Sequence, residues 1–430
     1  MRVLALPLAL AACAAPSPPS ITVSPTVGTV ATAAWSDGSD QASRIVVRQG
    51  GTDRLASDWQ APELAHVATL LGMHADTAYE AVAELEDGTR SEPTVFSTSP
   101  LPVDVPEISV EGEPGWNGWL LTSIIGTDTG PLLIDRHGRV VWWHFATEAV
   151  RVSRARLRAD GRGVWYGYAD SEATDDGGLS SVDWLGAPLE IIEAPAFSHD
   201  LRVAADGSLS WIEFDRRFLA NGNPVWGNRL MNNDSGAPAE LWTTYDTWDP
   251  ETVGRVDSQG YWTGLNALDF DDQTGHYYLG SRGFAAIVEL DPVSGTVVRQ
   301  IGGPESDYEF PDERDGLERN HNFQLVESGI LIHDNRNVDV GSRAVELALD
   351  DEAGTATHRW SWQHEPPVYS FALGDVDRGL DGSTLITWSA SGVIDDVGPD
   401  DVARASLSAN LGTIFGFTER IEALPGMEGL

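Results

Sequence analysis

The sequence predicts an all-β protein: a β-propeller of roughly six blades preceded by a small β-sandwich. Three observations lead there. From residue 107 onward no stretch carries a helical apolar period, and short apolar runs recur between glycine turns. Five such turns hold Gly161, Gly207, Gly275, Gly329 and Gly382, at intervals of 46, 68, 54 and 53 residues. Each precedes an apolar or aromatic run: VWYGY, LSWIEF, HYYLGSR, ILIHD and TLITWS. A second series places an Asp-rich turn before a Trp or Val run: DRHGRVVWW (Asp135–Trp143), DPVSGTVVRQIGG (Asp291–Gly303) and DDEAGTATHRWSW (Asp350–Trp362). Strand repeats of about 50 residues indicate a propeller, and residues 107–430 hold about six of them. A β-helix would need shorter, more regular turns.

Residues 21–98 have a different texture. Short β-type runs (ITVSP, VATAAW, SRIVVRQ, AYEAVAELEDG) alternate with turn residues, the pattern of a seven-stranded sandwich. Trp35 takes the place of a core tryptophan in an early strand. GMHADTAY (Gly72–Tyr79) resembles the G-L-x-P-x-T-x-Y turn of fibronectin type III domains, with Met73 for Leu and Ala75 for Pro. The resemblance implies that Tyr79 hydrogen-bonds nearby backbone as a tyrosine corner, in a spacer or docking module. The Pro-rich stretch 99–106 reads as a linker.

The first residues, MRVLALPLALAACAAPSPPS, carry one Arg and a short apolar run ending at Leu10-Ala11-Ala12-Cys13. This reads as a signal peptide (1–12), and the tetrad resembles the bacterial lipobox. Cys13 is the only cysteine, so no intrachain disulfide forms, and lipidation of Cys13 with a tether over 13–20 is the expectation. The chain would then be an exported cell-envelope lipoprotein, periplasmic or on the outer surface, meeting the membrane only through that anchor.

All 27 basic residues are arginine, against 66 acidic ones, a formal charge of −39. Such a field repels nucleic acid and anionic membrane surfaces, which argues against polyanion partners. A homodimer is compatible with the sequence. No His pair has metal-ligand spacing and the lone Cys is committed elsewhere, so no metal is expected. Neither a G-x-S-x-G elbow, a Walker A loop nor a dinucleotide fingerprint occurs, and no cofactor is expected.

A propeller places ligands in its central channel, so the informative residues are polar groups at equivalent places in several repeats. His199, Asn266, His321 and either Ser370 or Asp375 each precede a turn glycine by a similar distance. His276, His333, His358 and His364 share no pattern and read as strand or turn residues. The segments around the first set resemble the bacterial arylsulfate sulfotransferases, a six-bladed propeller family. SHDLRVAADGSL resembles that family's H-D-x-x-x-x-x-x-G segment, and YWTGLNALDFDDQTGHYYLGSR its W-x-H-x-N-[SA] segment with a following S-R. NHNFQLVESGILIHDN resembles Q-H-x-x-x-L-x-x-G-x-[IL]-L-[IL]-F-D-N, and GSRAVEL the S-R-x-x-E-[IL] strand after it.

The resemblance implies that His321 carries the sulfuryl group transiently and that His199 and Arg282 bind and neutralise the sulfate oxygens. Asn266 and Arg343 would contact substrate. It implies an aryl sulfate donor and a phenol acceptor, with no nucleotide sulfate. Sulfuryl transfer needs in-line placement and charge stabilisation at the equatorial oxygens, which Arg and neutral imidazole supply. His199 would protonate the leaving phenolate. The departure is Gly264, where the family commonly carries His two residues before the Asn. The alternative is therefore the same propeller without transfer, binding a small molecule or a protein partner.

Overall fold

The computed structural model describes residues 15–147, 149, 151–169, 176–312, 315–410 and 412–429. Cys13 and the signal segment lie outside them. The described residues contain β-strands and short 3-10 turns and no α-helix. They form two compact units: one up to Leu101 together with the residues after Glu422, the other Pro102–Glu422.

The first unit is a two-sheet sandwich. One sheet runs Ser20–Val23, Ala31–Trp35, His66–Leu70, and the other Thr52–Ser57, Ser43–Gln49, Ala78–Leu85, Thr94–Ser97. Trp35 is buried, donates its indole N–H to Ser43 Oγ at 3.0 Å and stacks on His66 at 5.0 Å. Tyr79 Oη accepts the His74 N–H at 2.9 Å, the tyrosine-corner bond that the GMHADTAY turn implied. One boundary needs correction. The strand Met427–Gly429 pairs with Thr52–Ser57 of the sandwich, so the second domain ends at Glu422 rather than 430. Three residues ending in MEG carry no apolar alternation that would have betrayed this pairing.

The second unit is a six-bladed propeller, one antiparallel sheet per blade. Blades 2 to 5 start from inner strands Arg151–Leu157, Phe197–Val203, Leu265–Asp271 and Asn320–Val326, each followed by three more strands of its own sheet. Blade 6 starts at Asp375–Arg378 and takes the N-terminal strand Ile108–Gly112 on its outer edge. Blade 1 contains Trp119–Ile125, Gly130–Asp135 and Val140–Trp143. Its inner edge is completed by Ile414–Phe415 and Glu419–Ile421 from the far end of the chain. Both chain crossings thus tie blade 6 to blade 1 and leave no free sheet edge at the closure.

The five turn glycines all lie in the hairpins that join inner to second strands, in blades 2 to 6. Second strands such as Gly329–Asp334 are buried on both faces, whereas outer strands such as Thr355–Trp362 alternate toward solvent. The core therefore lies between blades. Leu265, Leu279 and Val288 of blade 4 pack with Trp242 of blade 3, and Phe323, Ile332 and Val345 of blade 5 pack with Tyr278 of blade 4. Trp142, Trp211, Trp242, Trp262 and Trp388 are almost wholly buried, which accounts for much of the chain's tryptophan: radiating blades leave wedge-shaped gaps that need bulk.

Candidate functional site

The inner strands of blades 3, 4 and 5 share one irregularity. Pairing with the second strand is interrupted between Phe197 and Leu201, between Leu265 and Ala267, and between Asn320 and Phe323. Below each bulge, Leu201, Leu268 and Phe323 pair with Trp211, Leu279 and Ile332. His199, Asn266 and His321 each stand two residues before those pairing residues, so they are equivalent in register. A bulge re-aims side chains at the start of a strand, a frequent device beside functional sites. His199 sits at φ 63°, a left-handed conformation costing about 1–2 kcal/mol for a residue with a Cβ. Its carbonyl accepts the Ser153 hydroxyl at 2.6 Å, which helps hold it there.

The two imidazoles face each other across blade 4, with ring centroids 6.1 Å apart. His321 is 3 % exposed. Its Nδ1 contacts Asn335 Oδ1, while the Asn335 amide nitrogen donates to the carbonyls of Ser370 and Leu373. Two carbonyl partners fix which way that amide points. Its oxygen must then face His321, so His321 Nδ1 carries the proton and Nε2 keeps its lone pair. Burial pushes the imidazole down to about 4; the bonds to Asn335 and to the Arg319 backbone oppose this, and the Arg282 charge adds to it. His199 is held well below the usual range, first by burial and then by the charges of Arg151, His321 and Arg282. Its Nδ1 lies 2.8 Å from Ser198 Oγ. Both rings are neutral at pH 7.

Arg282 follows the second strand of blade 4 and is anchored by its own backbone N–H, which donates to the Gly264 carbonyl at 3.0 Å. Its side chain is exposed, and its guanidinium makes no ion pair or hydrogen bond among the described residues. The channel arginines Arg154, Arg156 and Arg420, by contrast, are neutralised by carboxylates. Gly264 sits at φ 55°, and a Cβ there would lie 3.9 Å from Arg282 Cβ. A side chain at position 264 would therefore stand against Arg282. Asn266, 1 % exposed, donates to the Asn320 carbonyl at 2.9 Å and leaves its Oδ1 buried without a partner. It braces the strand that carries His321.

Two expectations are not met by the geometry. Arg343 is buried against Asp334, at 3.1 Å, and donates to the Gly316 carbonyl at 3.0 Å, so it braces blade 5 instead of joining the histidine pair. In blade 6 neither Ser370 nor Asp375 takes the histidine position. Asp375 pairs with Thr387, and Ser370 supplies the carbonyl that orients Asn335. The residue just before Asp375 is Gly374, where a Cβ would collide with the His333 ring at 2.2 Å. His333 is wholly buried with both ring nitrogens lacking a hydrogen-bond partner, and burial pushes it down to about 3.

Sequence reasoning missed Asn335, although it closes the quoted HDN segment, and missed the layer beneath the histidines. There Arg154 bonds Asp200 at 2.7 Å and reaches Asp375 at 3.4 Å. Asp375 also accepts from Asn322 and from the Thr418 N–H, the latter at 2.7 Å. Burial pushes the Asp375 carboxyl up to about 6, against the opposing pull of Arg154. This cluster crosses the channel and separates the histidine end from the other mouth.

No protein-family model matches the chain, and no curated protein matches it. Solved structures do. A Bacteroides caccae protein of unknown function aligns with TM-score 0.41 and 12% identity over 74% of this chain and all of its own. An auxiliary nutrient binding protein from Bacteroides ovatus aligns with TM-score 0.39 and 12% identity, over 91% of this chain and 86% of its own. Virginiamycin B lyase from Staphylococcus aureus aligns with TM-score 0.39 and 10% identity over 73% of this chain and all of its own. The propeller assignment rests on the strand pairing above.

Proposed function

We propose that the histidine end of the channel binds a small aryl sulfate and passes its sulfuryl group through His321 to a phenolic acceptor. The observation that carries the reading is an unpaired Arg282 whose charge reaches two neutral imidazoles, one of them oriented by Asn335 at its Nδ1. Arg282 offers a planar donor fork to sulfate oxygens. His321 Nε2 attacks sulfur, the S–O(aryl) bond breaks, and the phenolate leaves with the electron pair. The acceptor oxygen then attacks sulfur, the S–N bond breaks, His321 is regenerated, and the acceptor's proton passes to solvent. The resemblance of the NHNFQLVESGILIHDN and SHDLRVAADGSL segments to arylsulfate sulfotransferases supports this order of events.

The depressed pKa of His199 changes its role in the scheme. A neutral imidazole donates a hydrogen bond but is a poor proton source, and Gly264 supplies none. Donors whose phenolate leaves without protonation should therefore be the ones used. With 4-nitrophenyl sulfate and phenol, we expect multiple-turnover nitrophenolate release that requires acceptor and vanishes in His321→Ala. Phenyl sulfate, with its more basic leaving group, should react far more slowly. Absence of any acceptor-dependent release at high protein concentration would overturn transfer.

A second reading is favoured by the same Gly264: the site binds the anionic ester without turning it over. Calorimetric titration with 4-nitrophenyl sulfate that shows Arg282-dependent binding and no product would establish it. For location, the proposal is an exported lipoprotein anchored at Cys13. Loss of lipid labelling in Cys13→Ser is the expected result.

A further inference from the structure

The opposite mouth of the channel holds a cavity of about 820 Å³, lined by the downstream ends of the inner strands and by the segment Gly115–Asn117. None of His199, Asn266, Arg282 and His321 lines it. Its walls alternate in sign. Arg156 is paired with Glu419 at 3.0 Å, Arg378 with Glu346 at 3.1 Å and Arg420 with Asp377 at 3.5 Å. With each guanidinium already neutralised, the cavity presents no net positive field to attract an anion. The arginines of the lining, Arg154, Arg156, Arg378 and Arg420, are interleaved with carboxylates, so neither sign of charge stands alone on the walls.

Asp269 lines the cavity without such a match. It is half-buried, accepts the Phe270 N–H at 2.8 Å and has no ion pair among the described residues. Burial raises its carboxyl, and the charges of Arg156 and Arg202 oppose that rise without forming a contact. Nearby, Gln324 spends both ends of its amide on the Arg378 backbone, at 2.6 and 3.3 Å, which makes a rigid polar floor. Asn117 is exposed at the rim, and the Trp116 indole N–H is buried in the wall without a partner.

We propose that this cavity is a second ligand site, for a neutral polyhydroxylated molecule of mono- or disaccharide size. Hydroxyl groups donate and accept at once, so they match walls on which fixed donors and acceptors alternate. The volume lies within the ordinary range of small-molecule sites, roughly 300–1,000 Å³. The Arg154–Asp200–Asp375 cluster separates this site from the histidine end, so the proposal stands whether or not sulfuryl transfer occurs.

The test uses the full chain and saturation-transfer NMR with glucose, galactose, mannose, maltose, cellobiose and lactose. Choline and inorganic sulfate serve as charged controls. The expected result is saturable binding of at least one saccharide, weakened about tenfold by Asp269→Asn and measurably weakened by Asn117→Ala, a substitution at an exposed side chain. His321→Ala should leave it unchanged. Three results would each overturn the proposal: no saccharide saturates, choline alone binds, or saccharide binding is indifferent to both cavity substitutions.

Discussion

The two ends of the propeller channel handle charge in opposite ways. At the downstream mouth Arg156, Arg378 and Arg420 are each matched by a carboxylate, and Asp269 is left over. At the upstream end Arg282 is left over, and its neighbours are imidazoles that burial keeps neutral. Between them Arg154, Asp200 and Asp375 form a buried partition. The contrast shows how a chain of charge −39 would hold a local anion site. It requires one cation without a counter-ion, next to groups that cannot supply one. The net charge works against polyanions at long range, and the proposed site would select small anions at short range.

Four substitutions sharpen this contrast. The largest effect is expected from His321→Ala, which removes the proposed nucleophile. Transfer should fall at least about 10³-fold, or about 4 kcal/mol, with the melting transition retained. Next is Arg154→Met, which strands Asp200 and Asp375 in the partition. Loss of one partner from a buried pair costs about 3–5 kcal/mol, and urea unfolding should report it as a lower midpoint at unchanged slope. Arg282→Ala removes a charged donor that has no partner among the described residues. Affinity for 4-nitrophenyl sulfate should weaken by about 1.5–3 kcal/mol while stability stays the same. That split between binding and stability is what an anion-site arginine gives and a structural arginine does not.

The smallest effect concerns pH. The folded-state pKa of His333, about 3, lies below its ordinary value of 6.5. Its contribution to stability is present in full above pH 6.5 and is lost as pH falls toward 3. Asp375 acts in the opposite sense: its raised carboxyl, at about 6, favours the folded state as pH falls below that value. His333→Phe should therefore shift the stability-against-pH slope below pH 6.5 toward stabilisation, by up to about 1.4 kcal/mol per pH unit. Thermal melts at pH 7 and pH 5 check this. An unchanged difference between the two pH values would mean that His333 titrates normally.

Much of the propeller was legible because its repeats are local. Gly207, Gly275, Gly329 and Gly382 mark the same hairpin in successive blades, and the strands they join are neighbours in the chain. The closure was not legible. Glu419–Ile421 finds Trp119–Ile125 from the other end of the unit, and Met427–Gly429 leaves for the sandwich. Strands of three residues have no periodicity to read. The site divides similarly. His199, Asn266 and His321 could be grouped because each precedes a turn glycine at a matching distance, and the bulges put them in one register. Arg343 was misplaced because its motif fixes its strand but not its partner, and Asp334, one strand away, claims it. The partition escaped notice because Arg154, Asp200, Asn322 and Asp375 come from four different blades, and no sequence spacing links them.

The central claim is that His321 Nε2 is a nucleophile at an anion site. It is tested most directly by a single-turnover experiment with 4-nitrophenyl sulfate in the absence of acceptor. The account predicts a burst of nitrophenolate approaching one per chain, a sulfuryl adduct on the peptide containing His321 by mass spectrometry, and discharge of that adduct when phenol is added. No burst and no adduct, with the ester bound, would contradict it and leave the upstream end as a binding site alone.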